Sequence, residues 1–113
     1  MKRLTLDRYK QSGQTRVDAG GFTFVVQRPT QAEVYTAADR RIDIDFVSRH
    51  VVGWEGVQES DLVPGGDPEP VEFDAAVFAA WLADRADLWA PLTDAVVTSF
   101  RAYEEAQEAR GKP

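Results

Sequence analysis

The sequence predicts a small α+β domain, with a β-hairpin or strands near the N-terminus and about three helices packed as a single domain. Three observations predict this. Phe22-Thr23-Phe24-Val25-Val26 is dense in aromatic and β-branched residues directly after Ala19-Gly20-Gly21, the pattern of a strand leaving a tight turn. Thr30 and Asp74 each stand where a helix N-cap is expected, just before an apolar-periodic stretch. Trp89, Leu92, Val96, Phe100 and Tyr103 recur at three-four spacing, which places them on one stripe of a helix.

The elements follow in chain order. Residues 1–13 are mostly polar, with Leu4, Leu6 and Tyr9 as scattered apolar anchors; they read as a tail or a weakly fixed first strand. Thr15–Asp18 is the candidate hairpin partner of Phe22–Val26. Pro29 stops a helix from running backward, and Thr30 with Glu33 three residues on forms a capping-box pattern. A helix is therefore expected over about 30–48, with Val34, Ala38, Ile42 and Phe46 facing the core. Ile42-Asp43-Ile44-Asp45-Phe46 also alternates with period two, so a strand there is the alternative.

Val51-Val52-Gly53-Trp54-Glu55-Gly56-Val57 follows as a short strand or extended connection. Glycine weakens a strand interior, so its position on either side of Trp54 asks for a reason. One reason is structural: the glycines let the backbone bend and a helix approach, with Trp54 folded into the core. The other is an exposed Trp54 that meets a partner. Residues 58–70 hold prolines, glycines and acidic residues and read as a loop inside one domain. A second helix starts after Asp74, with Phe73 and Phe78 placed as a hydrophobic staple and Val77, Phe78, Trp81 and Leu82 on its apolar face. A third runs from about Leu88 to Ala109, with Asp87 as its cap and Pro91 in its first turn. The organisation is an N-terminal segment at 1–21, one domain at 22–110 and a short tail at 111–113.

With 113 residues, such a chain buries roughly two thirds of its unfolded surface and needs no staples to hold a core. It has no cysteine, so disulfides and thiolate metal sites are excluded, in keeping with a cytoplasmic setting. The formal charge of −6 argues against nucleic acid, which requires a basic face, and against anionic membranes. No apolar run approaches the roughly 20 residues of a membrane helix, and the polar N-terminus lacks the apolar core of a signal peptide.

Catalytic signals are sparse. His50 is the single histidine and stands at an element boundary, the place of a surface or capping residue, with no partner evident for acid–base or triad chemistry. Asp43 and Asp45 share a face only in a strand, and no calcium-loop or zinc spacing accompanies them. Gly65-Gly66-Asp67 lacks the lysine and hydroxyl of a phosphate loop. Glu55 is a carboxylate without a mate. The expectation is a protein that is not an enzyme and carries no cofactor or metal.

The order of features carries a resemblance. Arg28-Pro29-Thr30 enters a helix, Val51–Val57 follows, then an acidic Pro/Gly loop, then VEFDAAVFAAWLADRADLW at 71–89 and a final amphipathic helix. In this the chain resembles the small tail assembly chaperones of long-tailed bacteriophages and prophages, over residues 22–110. The resemblance implies a protein that binds the long helical tape measure protein in the host cytoplasm, keeps it soluble and recruits tail tube subunits around it. Many such genes also yield a longer product by frameshifting, and Gly111-Lys112 fits the coding of a slippery run. Trp54, Trp89, Leu88, Leu92, Val96 and Tyr103 are the candidate partner-binding residues, because aromatic anchors bury large areas with few rotatable bonds. Self-association is a further expectation. The alternatives are a structural tail component, such as a completion or terminator protein, and an acidic inhibitor of a host protein.

Overall fold

A computed structural model describes residues 1–36 and 42–111. Three strands form one antiparallel sheet in the order β1 (Gln14–Ala19), β2 (Phe22–Gln27), β3 (Val51–Glu55). The helices are α1 (Leu6–Gln11), α2 (Gln31–Thr36), α3 (Ile44–Arg49), α4 (Glu59–Leu62), α5 (Ala75–Ala83) and α6 (Trp89–Gly111), with one 3-10 turn at Ala86–Leu88. The protein is thus a mixed α+β domain, as the sequence predicts.

The expected hairpin is present. Ala19 pairs with Phe22, which leaves Gly20 and Gly21 as a two-residue turn with φ of 60° and 86°. Positive φ at both positions matches the twist of the flanking strands, and glycine adopts it without steric cost. A side chain at Gly20 would also place its Cβ 2.5 Å from Leu88 Cδ2, because the turn sits against the 3-10 turn before α6.

β3 contains a device the sequence hides. Phe24 and Val25 pair with Trp54 and Gly53, then the register slips and Val26 pairs with Val51. Val52 is the extra residue of a β-bulge, and it is exposed. In a regular strand, residues three apart point to opposite faces. The bulge turns Val51 and Trp54 to the same inner face, opposite Val26 and Phe24. Gly53 lies opposite Val25 on the outer face, where a Cβ would come 3.3 Å from Val25 Cγ2. The glycine therefore admits the neighbouring strand's valine, not an approaching helix as the sequence reading expects. On that same outer face the Arg16 guanidinium crosses β2 and donates to Glu55 at 2.7 Å.

Helices α3, α5 and α6 cover the inner face. Phe24 and Val26 of β2, Val51 of β3, Phe46 and Val47 of α3, and Phe78, Trp81 and Leu82 of α5 are all buried in one cluster. Leu92 and Val96 of α6 complete it against β1 and β2. Helix α6 is about 35 Å long at 1.5 Å per residue, and its second half is largely exposed. The radius of gyration is 16.0 Å, against about 13 Å for a compact domain of this length, so the fold has projecting ends.

Four expectations are corrected. Residues 6–11 are a helix, capped by the Thr5 hydroxyl, not a tail or strand. The helix expected across 30–48 is not continuous: Asp43 is extended and its carboxylate accepts from Phe46 N–H at 2.9 Å, which starts α3 afresh. Ala38 lies outside the described residues. The 58–70 segment is a closed loop with structure of its own. Gln58 and Asp61 box the N-terminus of α4, and Gln58 bridges to Pro70. Asp87 does not cap α6, because the Arg85 guanidinium takes up its carboxylate in two bonds of 2.9 and 2.8 Å.

Candidate protein-binding surface

Helix α5 is fixed at its N-terminus as the sequence predicts. The Asp74 carboxylate accepts from Val77 N–H at 3.0 Å, and the Phe73 and Phe78 rings meet at 5.9 Å as a hydrophobic staple. Phe78, Trp81 and Leu82 then point into the core. Val77, expected beside them, does not. It is 43% exposed and, with Ala80, forms the open side of the helix. Leu62 and Val63 at the end of α4 stand across from it and make the second wall of a shallow groove of about 260 Å³. Asp84, the C-cap of α5, closes one end.

Trp89 lies at that end of α5. Its indole N–H donates to Leu82 O at 2.6 Å, a carbonyl in the last turn of α5 that also accepts from Arg85 N–H. Its ring is 38% exposed, an amphipathic placement with the polar atom satisfied and an apolar face in water. Trp54 is half-buried. Its N–H donates to Val71 O at 2.7 Å, and its ring stands edge-on to Phe73 at 5.0 Å and Trp81 at 6.0 Å. It therefore packs rather than projects.

The remaining predicted site residues fall into two groups. Leu88, Leu92 and Val96 have no exposed surface; they hold α6 to the sheet and offer nothing to a partner in this conformation. Tyr103 is half-buried beneath the Arg28 guanidinium, 3.7 Å above its ring. The structure thus gathers Trp54 and the buried leucines into packing and leaves Trp89 part-exposed at the C-terminal end of α5.

Charge is distributed unevenly around this surface. From Gly56 to Asp84 the chain carries Glu59, Asp61, Asp67, Glu69, Glu72, Asp74 and Asp84, and no lysine or arginine. Arg85 follows, spread over the Trp81 and Phe22 rings at 5.5 and 5.9 Å. Its bond to Asp87 holds its own pKa above the ordinary value and that of Asp87 below it. Gly65-Gly66-Asp67 has no free anion cradle, because the Glu59 carboxylate already accepts from Asp67 N–H.

A second polar cluster went unseen in the sequence. Glu33 forms the expected capping box with Thr30, at 3.0 Å in both directions. Its other carboxylate oxygen meets Nε2 of His50 at 2.9 Å. His50 caps α3, as its boundary position suggests, but it is buried at 4% exposure rather than on the surface. Its Nδ1 meets Phe46 O at 2.8 Å, and the Phe46 ring stacks on it at 4.5 Å. Both oxygens are acceptors, so both bonds form with an ionised Glu33 when the ring carries both protons. Burial pushes the Glu33 carboxyl up, but the Thr30 N–H, the His50 charge and the two side-chain bonds outweigh it and hold the carboxyl below its ordinary value. The pair ties α2 to α3, with His50 buried and the Glu33 side chain half in water. Among the described residues, no buried side-chain nitrogen or oxygen lacks a hydrogen-bond partner. Nor, among them, could any group of three or more His, Cys, Asp or Glu residues hold a metal ion.

A cleft of about 450 Å³ lies between α1 and the sheet and is lined by Lys10, Gln14, Gln27, Arg28, Glu33 and Val52 among others. The Gln27 amide spans it, accepting from Gln14 and donating to Lys10 O. Among the described residues no helix is long and apolar enough to cross a membrane. No family model matches the chain, and no curated protein or solved structure matches it significantly.

Proposed function

We propose that this chain is a phage tail assembly chaperone, a binding protein rather than an enzyme, that holds a helical segment of the tape measure protein in the host cytoplasm and brings tail tube subunits to it. The observation that supports this reading is the open side of α5: an apolar groove between Val63 and Val77, with the Asp84 carboxylate at one end and the part-exposed Trp89 bonded to the end of the same helix. Such a groove suits an amphipathic helix that lays apolar anchors at three-four spacing into it and carries basic residues at its flanks. The net charge of −6 keeps the loaded complex soluble.

Peptides covering the helical segments of the tape measure protein encoded beside this chain test the reading, by calorimetry and tryptophan fluorescence. The expected result is a saturable complex with at least one peptide, weakened by about tenfold or more in Val77→Asp while the circular dichroism stays that of the parent. Absence of binding by every peptide and by the whole tape measure protein would overturn it.

A further inference from the structure

The N-terminal helix has a property its surroundings do not explain. α1 buries no residue. Leu4 and Leu6 are 60% and 66% exposed, and Tyr9, three residues after Leu6 and hence on the same helix face, is 53% exposed. The helix is held to the sheet through polar and backbone bonds, from the Gln27 amide to Lys10 O and from Arg28 N–H to Gly13 O. Its apolar face is therefore presented to water on a fixed mount. The arm carries Lys2, Arg3, Arg8 and Lys10 against a single carboxylate, Asp7.

The α5 groove is the complement in both respects. Its walls are Leu62, Val63, Val77 and Ala80, and its chain neighbourhood from Gly56 to Asp84 holds carboxylates and no cation. We infer that residues 1–11 of one copy dock in the α5 groove of a second copy, with Leu6 and Tyr9 against Val63 and Val77 and the arm's cations against the acidic rim. Every copy carries both halves of the contact. Two copies can exchange arms reciprocally and close a twofold dimer; exchange in one direction continues the chain of copies. An anionic lipid surface also attracts cations beside apolar residues. It leaves the acidic groove without a role, however, and meets a molecule of net charge −6. This contact involves only the chain itself, so it stands or falls separately from the chaperone reading.

The test is the mass of the full chain by size exclusion with light scattering, over a concentration series at low and high salt. The expected result is a mass rising above the 12.6 kDa of one chain with concentration, and falling back in high salt because exposed charge pairs are screened. An acidic-arm variant, Arg8→Glu with Lys10→Glu, and a basic-groove variant, Ala80→Lys with Asp84→Lys, change only exposed positions. Each alone should weaken self-association by about tenfold. Mixed together they should associate again, because each then offers the arm that the other's groove attracts. A single-chain mass throughout would overturn the inference, as would association that ignores both variants. So would a chain that stays single in solution but sediments with phosphatidylserine vesicles through Arg8 and Lys10.

Discussion

Replacing Glu33 separates two jobs that one side chain does. In Glu33→Ala the capping box is lost, at a cost of about 1 kcal/mol, and Nε2 of the buried His50 is left without its partner, which costs about 1–3 kcal/mol. The Glu33 side chain is 45% exposed, so water reaches part of the vacated site and the sum should fall near about 2 kcal/mol. Glu33→Gln behaves differently. Its amide oxygen still accepts from Thr30 N–H, and its amide N–H donates to Nε2 of a neutral ring whose Nδ1–H donates to Phe46 O; the loss should stay within about 1 kcal/mol. The wild-type carboxyl titrates below its ordinary value of 4.5 in the folded state. Its contribution is therefore fully present above pH 4.5 and is lost as the pH falls through the depressed folded value. Urea unfolding followed by circular dichroism from pH 7 to pH 3 reads all three proteins. The gap between wild type and Glu33→Gln should shrink as the pH falls below 4.5 through the depressed folded value of the carboxyl. Equal losses in the two variants, or a gap that does not change with pH, would refute the reasoning.

Three further outcomes are expected from the same unfolding assay. Leu92→Ala, at a fully buried position, should cost about 2–5 kcal/mol. Trp89→Ala should cost only about 1 kcal/mol, because Leu82 O keeps its bond from Arg85 N–H at 3.1 Å and much of the ring is in water; its larger effect should be on peptide binding. Gly20→Ala should lose about 1–3 kcal/mol, from a φ of 60° and the clash with Leu88, whereas Gly21→Ala, where a Cβ meets nothing, should lose only the conformational part, about 1 kcal/mol.

What the sequence revealed was local. The Gly20-Gly21 turn, the Thr30–Glu33 box and the Asp74 cap with its Phe73–Phe78 staple each have both partners within five residues, so spacing alone identifies them. α1 escaped because its apolar residues bury nothing and so leave no periodic core signal. α3 restarts at Asp43 because a short acid side chain can cap as readily as it can sit on a helix surface, and the period-two pattern there fits neither alternative uniquely. The bulge at Val52 follows from the demand that both Val51 and Trp54 face inward, which is visible only once β2 lies beside them. His50 is seventeen residues from Glu33, and Val63 is fourteen from Val77, so only the tertiary fold joins them. Leu88, Leu92 and Val96 look like a binding stripe in sequence because a helix's core-facing residues and a helix's partner-facing residues have the same period.

The central claim is that this chain keeps a long helical protein soluble by holding it. Expressing the tape measure protein with and without this chain, then measuring its soluble fraction and the mass of any complex by light scattering, tests that most directly. The account predicts a soluble complex of fixed stoichiometry that is lost with Val77→Asp. A tape measure protein that pellets equally in both cases, with this chain eluting free of it, would contradict the account.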